Sequence, residues 1–401
     1  MRPARLGGFA LLVLFIFLVS LQHVSCRQPA RDPATKRVRV IYLGDAWGAN
    51  SPYQYMKMDP LLMPTPVPAS TGHMGGIPNI SRYIRIYVPR TYNRLVESYD
   101  VIILSDTVRS YYRTYHIQWV ADAVEKGGRG LVMVGGREIQ WGDWPGSPVE
   151  KVLPVNWVPL ETYEQPFRAI PVGPKDEFLS ALPWETMLPY SGMNVATVKQ
   201  GARIYLKADA KDLPLLVFWE YGEGASVAHT PDWTPAWGGA NFWGWKYYPD
   251  FVSDILYLVA GIHIPDNPDL IHNIREQYYG FRIQWSLVIG MLDFVEEFGA
   301  NVAPLDRKLS EISDLKRQAS QAYIEQDYEQ TLSKIKDARE GLREALELAM
   351  EIKDRALVWI YVTEAMAVTG TSLLCGVAIW FLMVRRVLYR EVSTTRLRSE
   401  E

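Results

Sequence analysis

Between Ala365 and Val384 the chain carries a run of about twenty apolar residues, the length a helix needs to cross the hydrocarbon core of a bilayer. Only a helix is available to a lone segment there, because backbone amides and carbonyls find no water to bond. This run divides the chain into a large body on one side and a short tail on the other. Arg385, Arg386 and Arg390 follow at once, which predicts a cytoplasmic tail over 385–401 and an extracytoplasmic body. The membrane helix is set at 357–384, with Tyr361, Trp380 and Tyr389 at the interfaces and Glu364 at the outer boundary.

The other end agrees with export. Arg2 and Arg5, the apolar run Leu6 to Val19 and the small-residue site Val24-Ser25-Cys26 form the pattern of a signal peptide over residues 1–26. The same pattern leaves open an uncleaved anchor, or a lipoprotein acylated at Cys26. The expected location is the cell membrane, single-pass, with the bilayer as one partner. A net charge of −3 gives no electrostatic footprint for nucleic acid. The two cysteines, Cys26 and Cys375, both fall in these terminal segments, so the body between them has no thiol and no disulfide. A body of this size builds a sufficient core without staples. The sequon Asn79-Ile80-Ser81 lies in a Pro/Gly-containing stretch and makes Asn79 a glycosylation candidate.

From Arg37 to Gly261 short β-branched runs alternate with helical stretches, which predicts an α/β domain with a mainly parallel sheet over 37–261. Strands are read at Arg37 to Leu43, Tyr99 to Leu104, Gly130 to Val134 and Ser226 to Thr230, and helices at Ile117 to Glu125 and Phe251 to Ala260. Residues 157–208 are proline-rich and irregular, with room for strands that extend the sheet or cover one face. After Gly261 the pattern turns helical. One helix is read at Leu270 to Phe298, a second at Leu305 to Tyr323, a turn at Gln326-Asp327, and a third from Tyr328 into the membrane. These form a helical stalk over 262–356, with mixed charge that suits a solvated face or a homo-oligomer or surface-protein contact. Ala319 to Ala338 resembles part of a tetratricopeptide unit, but a single copy reads as a helical hairpin.

Several separated motifs carry a family resemblance. They are Gly44-Asp45-Ala46-Trp47 after the first strand, Tyr99 to Asp106, Val134-Gly135-Gly136-Arg137-Glu138 with Gly142 and Pro148 to Pro154, and Tyr221-Gly222-Glu223-Gly224 with His229 to Gly238. As an ordered set they resemble the class I glutamine amidotransferase-like domains. The resemblance implies a flavodoxin-like sheet, followed here by the helical stalk and one C-terminal transmembrane helix. It also implies a site at the carboxyl edge of the strands, where open α/β sheets place ligands. Active members carry a cysteine at the turn after the central strand, activated by a histidine. This turn presents Gly136, Arg137 and Glu138 instead, so glutaminase activity is not expected.

The candidate cleft comprises Asp45, Trp47, Asp106, Gly136, Arg137, Glu138, Trp141, His229, Asp232 and Trp237. Each acid follows a strand, so each also suits a helix cap, and His229 suits packing. Asp45, Asp106, Glu138, His229 and Asp232 supply oxygen and nitrogen donors for a divalent ion, without a compact ligand motif. Trp47, Trp141, Trp144, Trp233, Trp237, Trp243 and Trp245 share the same loops and suit either glycan rings or loop packing. No cofactor is named. The leading expectation is a membrane-tethered, extracytoplasmic ligand-binding or interaction protein on a catalytically degenerate amidotransferase-like domain. The alternatives are a metal-assisted hydrolase with an extracytoplasmic substrate, a saccharide being one candidate, and a structural cell-envelope protein.

Overall fold

A computed structural model describes residues 28–46, 48–70, 80–141, 143–297 and 299–397. The signal-peptide segment with Cys26, the cleft candidate Trp47, Gly142 and the sequon residue Asn79 lie outside the described residues. Two compact units are present, one of residues up to Tyr279 together with Ala319–Leu332, the other of Gly280–Gln318 and Ser333–Glu401.

The first unit is built on an eight-stranded sheet. Its strands are β1 (Val38–Gly44), β2 (Leu62–Pro68), β3 (Val101–Ser105), β4 (Gly130–Val134), β6 (Ala169–Pro171), β8 (Arg203–Ala208), β9 (Pro214–Tyr221) and β10 (Gly224–His229). They run in the order β2-β1-β3-β4-β10-β9-β8-β6, and the first five are parallel. This is the flavodoxin-like order, whose ligands lie beyond the carboxyl ends of the strands. β9, β8 and β6 extend the sheet antiparallel, and β5 (Val155–Tyr163) pairs with β7 (Met193–Val198) in a separate ribbon.

β3, β4 and β10 are buried along their whole length, as parallel strands covered on both faces must be. On one face Ile102, Leu104, Leu131 and Met133 pack with Ile117, Val120 and Val124 of helix α1 (Thr114–Glu125). On the other lies helix α2 (Tyr248–Ala260), almost wholly buried and ended by Gly261 in the left-handed conformation, with its amide bonded back to Leu258.

Helices α3 (Pro268–Glu297), α4 (Ala303–Ile324) and α5 (Tyr328–Leu397) follow the expected order. Within the first unit, the start of α3 and the end of α4 are tied in by a buried ionic cluster. Arg275 of α3, 1% exposed, donates to Asp59 from Nε at 2.8 Å and to Asp250 of α2 at 2.7 Å. Asp254 lies 3.4 Å from the same guanidinium. The hydroxyls of Tyr257 and Tyr323 reach Asp59 at 2.7 and 3.1 Å. A guanidinium with five donors suits this convergence, since it sets one buried positive charge among three buried carboxylates.

The second unit is helical. Ile312 packs against Gly341, Lys308 bonds Glu344 at 2.6 Å, and Leu305, Leu309, Ile335, Leu342 and Ala345 are buried. Between Val358 and Tyr389 the apolar side chains of α5 are mostly exposed, and its stretch Tyr328–Tyr389 is long and apolar enough to cross a membrane. The α/β, mainly parallel, flavodoxin-like architecture with a C-terminal helix of this kind is therefore present.

Candidate functional site

At the carboxyl edge of the sheet Asp45, Asp106 and Asp232 lie near enough to Tyr42, and Asp232 and Glu138 near enough to Asp106, to act on them electrostatically. β1 delivers Asp45, β3 delivers Asp106, the turn after β4 delivers Glu138, and the loop after β10 delivers Asp232. Burial, and with it the charges of Asp45, Asp232 and Asp106, pushes the Tyr42 hydroxyl well above the usual tyrosine range. Burial and then the nearby Asp232 raise the Asp106 carboxyl well above the usual carboxylate range, against the pull of the Glu138 amide.

The turn after β4 is closed. Asp106 holds a left-handed backbone, φ 41°, which side chains other than glycine adopt at a cost, and this aims its carboxylate across the neighbouring strand end. The Glu138 amide donates to Asp106 Oδ1 at 2.6 Å. Gly136 has φ 147°, and a Cβ placed there would collide with the Asp106 carboxyl carbon, while one at Gly135 would collide with the Thr230 carbonyl. Asn194 of β7 fastens the same turn from the other side, accepting from the Gly136 amide at 2.8 Å and donating to its carbonyl at 3.2 Å. The glycines are thus required by what fills the space beside them.

The remaining candidates separate by depth. His229 is fully buried, its Nε2 3.4 Å from the Tyr190 hydroxyl and its ring against Phe251 and Trp233. Burial drives its imidazole down to about 3, so it is a neutral packing group. Asp232 receives the Thr234 amide at 2.9 Å and its hydroxyl, and Thr234 in turn caps the helix Pro235–Gly238. Trp237 is buried against Gly192, and Trp144, Trp233 and Trp245 are buried as well. Arg137 is exposed. Trp141 is 67% exposed and lines, with Trp157, Leu160 and Asn194, a cleft of about 270 Å³ beside the elbow. Among the described residues no three His, Cys, Asp or Glu side chains gather in a way that holds a metal ion.

Asn194, which fastens the elbow, was not singled out in the sequence. Asn194 stands 58 residues from its partner Gly136, and no local pattern marks that pairing.

An open flavodoxin-like sheet with a glycine elbow after its central strand defines the class of domain. Residues 83–260 match the model of the family described as "Putative glutamine amidotransferase", so the chain carries a glutamine amidotransferase-like domain. Among solved structures, the chain is similar to the cytoplasmic protein STM3548 from Salmonella typhimurium, at 20% identity and TM-score 0.46 over 55% of this chain and 98% of that one. A second cytoplasmic protein of that organism, STM1381, gives 19% and 0.43 over 55% and 99%. A GH42 beta-galactosidase from G. stearothermophilus gives 13% and 0.32 over 58% and 31%. The comparison with curated proteins gives no match.

Proposed function

We propose that the chain is a single-pass membrane protein whose amidotransferase-like domain lies outside the cytoplasm, turns over no glutamine, and works by binding. One observation carries this reading: Asp106 occupies the space that a side chain at Gly136 would need. A cysteine nucleophile in such a fold must project from this turn into the cleft, with amides free to receive the developing oxyanion. Here the Glu138 amide is already bonded to Asp106. The neutral His229 is packed under aromatic rings and has no thiol to activate. What is left open is the cleft lined by Trp141, Leu160 and Asn194. The arginines after Val384 support the orientation.

The test is glutamine hydrolysis by the full-length chain in detergent, read as ammonia and glutamate release. The expected result is no release above buffer, for wild type and for Gly136→Cys alike. Turnover by the wild type that His229→Ala abolishes would overturn the reading.

A further inference from the structure

We infer that the first unit holds a second site, apart from the elbow, that binds a neutral pyranose sugar. It deepens the reading that the domain works by binding, and names the ligand class.

The site is a cleft of about 510 Å³ between the loop after β1, the loop before α2 and the start of α3. That volume is typical of a small-ligand pocket. Its aromatic side comes from Tyr55, Phe242, Trp243 and Tyr279. Trp243 is 62% exposed and Tyr279 41% exposed, although aromatic residues in this body are otherwise mostly buried. Trp243 stands edge-on to Phe242 at 4.7 Å and 79°, which props its indole upright instead of laying it over the core. The hydroxyl of Tyr55 is tied to the Phe242 carbonyl at 2.7 Å, so this wall is fixed before any ligand arrives.

The polar side is equally built. His272 is 4% exposed, and its Nδ1 lies 2.7 Å from Asp250, which Arg275 holds from behind at 2.7 Å. The Nε2 of His272 is buried, with the carboxylate of Glu276, also on the cleft lining, 3.3 Å away. Lys246 also lines the cleft, but its ammonium is bonded to Asp269 at 2.9 Å.

Flat apolar faces opposite a carboxylate and an imidazole match a sugar ring, which has apolar C–H faces and a rim of hydroxyls that both donate and accept. A free anion is disfavoured by Glu276 and by the neutralised Lys246. A quaternary ammonium would use the aromatic faces and Glu276, and is the competing ligand. The Lys246 ammonium on the same lining disfavours a second cation there.

The test uses the full-length chain in a detergent without a sugar headgroup. Neutral mono- and disaccharides are screened by array, hits are titrated by calorimetry, and choline is titrated in parallel. The expected result is saturable sugar binding that Trp243→Ala and Glu276→Gln each weaken about tenfold. Both side chains are exposed, and unchanged melting of these variants shows that the fold is intact. No saturable sugar binding, sugar binding that neither variant weakens, or binding of choline alone overturns the inference. Glutamine turnover would overturn the binding-only reading and leave the sugar result standing, so the two failures are distinguishable.

Discussion

Gly136 and Asp106 act as one device: the first has no side chain, and the second has a carboxylate that takes its place and bonds the following amide. The missing thiol is legible in the composition, because both cysteines lie in terminal segments. The closure of the elbow is not, since it depends on a left-handed backbone at Asp106, 30 residues earlier in the chain. His229 shows the same limit. Its place at the end of the last parallel strand is plain in the sequence, whereas its burial depends on Tyr190 and Phe251, which are distant in the chain. This burial has a pH consequence. The folded imidazole titrates at about 3 and the unfolded one at 6.5, so its contribution to stability is fully present above pH 6.5 and is lost as pH falls toward 3. Replacing His229 with Asn should therefore flatten the loss of stability between pH 6 and 4, relative to wild type, by up to about 1.4 kcal/mol per pH unit. Chemical unfolding at a series of pH values reads this, and parallel profiles for the two proteins would contradict it.

Long periodic elements were the most readable. The helices expected at Leu270 to Phe298 and Leu305 to Tyr323 appear as Pro268–Glu297 and Ala303–Ile324, because their apolar spacing repeats over many turns. β2 escaped notice because Pro64, Pro66 and Pro68 argue against a strand. It is an edge strand, and an edge leaves one side of the backbone free of ladder bonds. β7 lies in the stretch read as irregular, so Asn194 was hidden with it. The tie between the start of α3 and the end of α4 within the first unit was also hidden, because it runs through Asp59, Asp250 and Arg275, which are charged residues that a hydrophobic pattern assigns to the surface. Arg275→Met should cost about 3–5 kcal/mol of stability, since it removes the guanidinium shared by three buried carboxylates. Denaturant titration of the full chain checks this; a loss below about 1 kcal/mol would mean the aspartates find other partners.

At the scale of the whole molecule, the apolar run near the C-terminus and the alternation of strand and helix before it were sufficient to give the architecture. Both are one-dimensional signals: a bilayer needs length, and a parallel sheet needs recurring buried strands. The site is a three-dimensional signal. Four strand ends were expected to converge, and Asp45, Asp106, Glu138 and Asp232 are electrostatically coupled around Tyr42 and the elbow. What the acids do there, sealing the turn and holding the loop after β10, follows from hydrogen bonds between residues far apart in the chain. The sealed elbow separates a scaffold that binds from one that hydrolyses. Its most direct test is a double-mutant cycle of Gly136→Ala with Asp106→Gly, read by unfolding free energy. If Asp106 fills the elbow, the alanine is costly in the wild-type background and less costly by about 1–3 kcal/mol once residue 106 has no side chain. Equal costs in both backgrounds would contradict it.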